Sequence, residues 1–148
     1  MATHLLRMSS ISHAGARAIV ARCLECALEK NAHVSVAVVD VGGHLLVFDR
    51  CDGASLASIN VAQMKARTAA LYRASTKALL ERAKGGLLML PLPDLLAATG
   101  GVPLFVGGNL IGALGVSGSS GETDELIANS GESECADFAE LATAGGEH

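Results

Sequence analysis

Between residues 100 and 125 the chain reads GGVPLFVGGNLIGALGVSGSSGETDE, eight glycines in twenty-six positions. Two architectures use such a stretch: a loop that cradles phosphate, or backbone that must turn and pack closely. A phosphate loop sets its glycines between a strand and a helix so that backbone N–H groups converge on the anion. GVSGSSG stands at such a junction, but it lacks the Lys-Ser/Thr ending of a nucleotide loop, and Gly112, Gly115 and Gly118 fall largely along the strand. Glu122, Asp124 and Glu125 also place negative charge where a helix dipole would attract phosphate. The stretch is therefore read as a β-hairpin turning at Gly107–Gly108–Asn109 and running into a helix. Gly112 and Gly115 let a helix pack tightly on the sheet, and the later glycines shape the corner. Capture of a small carboxylate by the N–H groups of that corner stays open.

The remaining pattern supplies the partners of this hairpin. A helical periodicity runs from Ser9 or Ser10 to Lys30. HVSVAVVD and HLLVFDR form a first hairpin around Gly42–Gly43, where glycine supports positive φ. A second, alanine-rich helix follows over SLASINVAQMKARTAALY, capped by Ser55, and a short one over STKALLERAKGG. Pro91 and Pro93 make the next segment a connection rather than a central strand. An acidic helix runs from about Glu122 to about Ala142. The order α-ββ-α-α-ββ-α predicts one α+β domain over residues 1–148, an antiparallel β-sheet flanked by helices with its ordered core at about 9–143.

Half of the residues are apolar, yet there are only three Phe, one Tyr and no Trp, so the core is built of Ala, Val, Leu and Ile. No apolar run approaches the ~18 residues that span a bilayer, and the start lacks the pattern of a signal peptide. A cytoplasmic protein without membrane contact is expected. The net charge of −4 is unevenly placed, with eight acidic and no basic residues after Gly118. No uncompensated basic stripe remains for nucleic acid. The acidic helix is either solvated or packed on the basic face of another subunit. Cys23 and Cys26 form a C-x-x-C, but they lie on the face of the first helix that carries Ile19 and Val20. With Cys51 and Cys135 isolated, they read as core residues rather than a zinc or redox pair.

Among polar residues, Lys65 constrains function most. On the second helix it points between Val61, Ala62, Ala69 and Tyr72, away from the polar face of Asn60, Gln63 and Arg67. A lysine there must pair, reach an interface, or have its pKa lowered by desolvation. It is either a structural cation or a substrate-binding or catalytic one, and Thr68 lies beside it. Asp40 ends the first strand as a turn stabiliser or a base. Arg50 and Asp52 end the second strand, where strand termini open toward a helix start. His13 and His44 carry imidazoles able to ligate a metal or shuttle protons, or are ordinary surface residues.

The blocks VAVVDVGGHLLVFDRCDGA, SINVAQMKARTAA and GGVPLFVGGNLIGALGVSGSSGETDE closely resemble the GlcG/HbpS-like family, which includes the C-terminal domain of PduO-type proteins; the likeness extends over roughly residues 10 to 132. The resemblance implies a profilin-like sheet flanked by helices and a homo-oligomer, tetramer or octamer. It also implies a haem or corrinoid ligand in some members, with a metal ligand from the N-terminal helix, for which His13 is the candidate. Residues that match the family blocks include Asp40, Arg50, Asp52, Lys65, Thr68, Gly100, Gly101 and Ser117. The chain departs from the pattern at Cys51, where a Met is usual, and in its acidic last helix.

Two functions follow as expectations. One is a small-molecule-binding accessory protein, binding haem or a corrinoid at a site lined by strand ends and the second helix. There Arg50 or Lys65 holds an anionic group, Asp40 or Asp52 orients it or exchanges a proton, and Thr68, Gly100, Gly101 and Ser117 complete the ligand-binding set. The other is a cofactor-free lyase or isomerase acting on a small carboxylate or carbonyl compound, with Lys65 and Asp40 or Asp52 as acid and base.

Overall fold

The computed structural model describes residues 2–86 and 92–138, so Pro91 and the expected end of the last helix near Ala142 lie outside the described residues. Within them the order is α1 (His13–Glu29), β1 (Ser35–Asp40), β2 (Leu45–Arg50), α2 (Ala57–Tyr72), α3 (Thr76–Lys84), β3 (Gly101–Val106), β4 (Asn109–Ser117) and α4 (Gly121–Glu132). This is the expected element order. The four strands form one antiparallel sheet in the order β2-β1-β4-β3, so each hairpin contributes one inner and one edge strand.

The strands alternate between two cores. Val36, Val38, Leu114 and Val116 face α1 and α4, while Ala37, Val39 and Ala113 face α2. On the α2 side the helix contributes Ala62, Ala66, Ala69 and Ala70, so the interface is almost entirely alanine. Small side chains bring the helix axis close to the sheet, and Gly115 completes the approach. A Cβ there would strike the Ala62 carbonyl and come within 2.6 Å of the Ala66 N. The expectation for Gly115 therefore holds. Gly112 serves a different contact, since its Cβ would meet Ile11 and the Val39 carbonyl rather than a helix. Gly118 takes a φ of +133° against the His33 carbonyl, and so turns the chain from β4 toward α4.

On the other face α1 crosses α4 at Gly131, where an added Cβ would come within 2.5 Å of Cys23 Sγ. Cys23 donates a long S–H bond to the Ile127 carbonyl (3.6 Å). Cys23, Cys26 and Cys135 are buried, as expected of core residues. Burial pushes the Cys23 thiol up to about 12, helped by the neighbouring Cys26, and the Cys135 thiol up to about 11.

Helix ends follow capping chemistry more closely than periodicity. α1 starts at Ser12, whose hydroxyl accepts from Gly15 N, rather than at Ser9 or Ser10. Ser10 is diverted to accept from Val41 N (3.1 Å). Ser55 accepts from Ser58 N (3.3 Å), Ser75 caps α3 and Ser120 caps α4. α4 ends at Glu132, and residues 135–138 resume a helical turn after two turn residues.

Gly115→Ala is expected to cost about 3 kcal/mol or more in urea denaturation, because backbone rather than a flexible side chain must yield. Gly107→Ala, with open space around it, is expected to cost only about 1 kcal/mol, for its left-handed φ. In the native protein a thiol reagent at pH 8 is expected to modify the half-buried Cys51 first. Cys23 and Cys135, protonated at that pH, are expected to react only on unfolding.

Candidate functional site

The structure gathers one group of the candidate residues at a buried junction. Lys65 is 4 % exposed, and its Nζ donates to the Val116 carbonyl (2.9 Å) and to Asp124 Oδ2 (3.4 Å). Asp124 is equally buried, and its Oδ1 accepts from Ser119 N (2.9 Å). Gly100 lies against the ammonium, since a Cβ on it would sit 3.0 Å from Nζ, and its N–H donates to Glu125 Oε2 (2.7 Å). Gly101 N–H donates to Thr76 Oγ1 (2.9 Å), and Ser117 is buried opposite Ser35. Lys65, Gly100, Gly101 and Ser117 thus share one locus where α2, β3, β4 and α4 meet.

The chemistry of that locus is self-contained. The N–H groups of Ser119 and Gly100 are taken by Asp124 and Glu125 of the same chain. Desolvation lowers the Lys65 pKa and outweighs the opposing attraction of Asp124. The junction ties three elements together: α2 through the lysine stem, β4 through a carbonyl, and α4 through a first-turn carboxylate that also suits its helix dipole.

Thr68 lies one turn further along α2. Its hydroxyl donates to the Asp94 carbonyl and accepts from Leu96 N, both at 2.9 Å, so it clamps the segment before β3 onto the helix. Arg67 joins the same clamp through Asp94 (3.3 Å) and the Gly43 carbonyl (3.2 Å), and Tyr72 bonds the Pro93 carbonyl.

Asp40 stands at the far end of the sheet, and Arg50 and Asp52 lie at the near end but out at its edge strand. Asp40 pairs with Gly112 at one end of the sheet, whereas Ser35, Ser117 and Arg50 are aligned at the other. Five residues of strand separate the two ends, roughly 17 Å. The Asp40 carboxylate accepts from Gly42 N and His44 N, both at 2.9 Å. Partial burial pushes its pKa up, but these two bonds and the nearby His44 ring together hold it below the usual carboxylate range. Arg50 and Asp52 are exposed at the end of edge strand β2.

His13 belongs to a second place. It stands exposed at the start of α1 and lines a groove of about 490 Å³ between that helix and β2. Arg17 follows one turn later on the same side, and Leu24, Leu46 and Val47 supply apolar walls, with Asp49 at the rim. Among the described residues no group of three His, Cys, Asp or Glu side chains converges to hold a bare metal ion, so His13 is a lone protein donor. Sequence reasoning missed two residues. Asp124 is 59 positions from Lys65, and nothing local announces that contact. Arg17 lies on the exposed side of α1, and its i+4 relation to His13 was the available signal.

Lys65→Met is expected to lower stability by about 3 kcal/mol, because it leaves Asp124 buried without its cation. Combined with Asp124→Asn it is expected to cost less than the sum of the single changes, a coupling of about 1 kcal/mol or more in a double-mutant cycle by urea denaturation. Strict additivity would contradict the pairing.

These features match known proteins. Residues 11–132 match the family model described as haem degrading protein HbpS-like. The chain is 44 % identical over 108 residues to protein GlcG of Escherichia coli K12, covering 72 % of this chain and 81 % of that protein. It is similar in structure to a double mutant of Streptomyces reticuli HbpS, with TM-score 0.83 and 33 % identity over 90 % of this chain and 92 % of that one. A crystal structure of a PduOC–haem complex aligns with TM-score 0.79 and 28 % identity over 84 % and 94 % of the two chains. The single α+β unit and its antiparallel sheet are those of this group, and the chain belongs to the HbpS-like family.

Proposed function

We propose that this protein binds haem in the groove between α1 and β2, as a homo-oligomer in which a neighbouring copy closes the groove's open side. The observation that carries the reading is the pairing of an exposed His13 with Arg17 one turn away over an apolar wall. The donor set fits the group. An imidazole is a common iron ligand, a guanidinium matches a carboxylate in geometry and charge, and Leu24, Leu46 and Val47 offer apolar surface to a flat ring. A groove of about 490 Å³ lies within the range of small-molecule sites. The only aromatic residue along it, Phe48, turns its side chain to the α2 face of the sheet, so burial of the ring depends on the second copy. The solved PduOC–haem complex supports the choice of ligand.

Bound haem supplies an iron centre whose reactivity depends on its axial ligand. When the group is bound, His13 would hold the iron, Arg17 would orient it by its acidic edge, and the neighbouring copy would exclude water from the groove's open side. In this reading Arg50, Asp52, Thr68, Gly100, Gly101 and Ser117 have no direct part in binding. The junction at Lys65 is the scaffold that sets the sheet under the groove.

The alternative of a cofactor-free lyase or isomerase draws no support from the geometry. The Lys65 ammonium is spent on Val116 and Asp124, no carboxylate other than Asp124 bonds it, and Asp40 lies at the far end of the sheet. We therefore assign Lys65 a structural role.

Titration with haemin, followed by absorption spectroscopy, is expected to give a saturable shift of the Soret band. His13→Ala is expected to abolish that shift while leaving the far-UV circular dichroism unchanged. Arg17→Ala is expected to weaken binding by about tenfold, the worth of one charge-assisted hydrogen bond. A wild-type spectrum in His13→Ala would contradict the assignment.

A further inference from the structure

Residues 2–10 are all exposed, and the chain is first anchored at Ser10 and Ile11, the latter by its N–H to the Ile111 carbonyl (2.8 Å). Upstream of that anchor the segment His4-Leu5-Leu6-Arg7-Met8 is apolar and basic. Leu5, Leu6 and Met8 are 83 %, 87 % and 73 % exposed, among the most exposed large apolar side chains described. Three large apolar side chains within four residues of an unsupported arm call for a cover.

A surface of complementary character runs along α4. Two hollows of about 470 and 490 Å³ lie side by side along α4 toward the β3 end of the sheet, with Asn129 lining both, and together are termed the trough. Its floor holds Phe105, itself 41 % exposed, with Leu126 and Cys135, and its walls carry Glu122, Glu125 and Glu132. Lys77 is the one cation in this lining. Desolvation and the nearby Glu125 both raise the Glu132 pKa, so a cation brought against it would relieve strain already present. The arm carries the opposite charge and the same apolar content. Because each copy carries one arm and one trough, pairing them between copies satisfies both surfaces and builds a head-to-tail contact that closes into a ring.

We propose that residues 4–8 of one copy dock in the α4–β3 trough of the next, with Leu5, Leu6 and Met8 on its apolar floor and Arg7 against Glu132. The inference rests on the self-association proposed above, and is independent of haem. Sedimentation of the full chain over a range of concentrations tests it. The wild type is expected to assemble. Leu5→Ser/Leu6→Ser/Met8→Ser is expected to dissociate to monomers, and Arg7→Glu to weaken assembly at least about tenfold. Neither touches the buried core. Glu132→Lys is expected to weaken assembly likewise, and the swap Arg7→Glu/Glu132→Lys to restore it. A triple-serine variant that assembles like the wild type would overturn the arm while leaving self-association standing. A swap that folds but stays weak would overturn the Arg7–Glu132 contact. A monomeric wild type at every concentration would overturn both readings.

Discussion

The fold depends on how closely α2 approaches the sheet. At Gly115 the helix backbone and the strand backbone come within contact of each other, with no side chain between them. That approach explains the composition of the interface, since only alanine fits along the rest of the seam. It also explains why so few aromatic residues suffice. A core made of thin layers buries apolar area through many short side chains, and dispersion gains come from close packing rather than from large rings.

The Lys65 junction follows from the same constraint. Because the helix lies so near the sheet, a lysine on its inner side reaches past β4 to the first turn of α4. A buried pair of this kind is weak as a source of stability, since desolvation offsets most of its attraction. Its effect is geometric: it fixes where α4 begins and which end of the sheet is sealed. The glycine-rich corner, which a nucleotide-binding protein would leave open to an anion, here encloses its own carboxylates. The groove proposed for the ligand lies in the opposite layer, where α1 leaves edge strand β2 partly uncovered.

Much of this was legible in the sequence, for physical reasons. Strand alternation and paired glycines mark both hairpins, so the element order and the α+β class could be read directly. The inward direction of Lys65 was visible because alanines flank it at helical spacing. Its partner was not, because an ion pair across 59 residues is decided by the assembled layers and leaves no local pattern. The start of α1 was ambiguous for a different reason. Ser9, Ser10 and Ser12 all have cap chemistry, and the choice was made by Val41, which draws Ser10 away into a tertiary bond. The groove beside His13 was equally hidden, since it exists only once β2 lies against α1.

The central claim is that the ligand belongs to the α1–β2 groove and that the Lys65 junction is closed scaffold. Paramagnetic broadening of backbone amide signals on adding haemin to isotopically labelled protein tests it most directly. The account predicts that broadening begins at residues 13–24 of α1 and 46–49 of β2, while the amides of Lys65, Val116 and Asp124 keep their intensity. Broadening centred on Lys65 and the corner after β4, with α1 untouched, would contradict it.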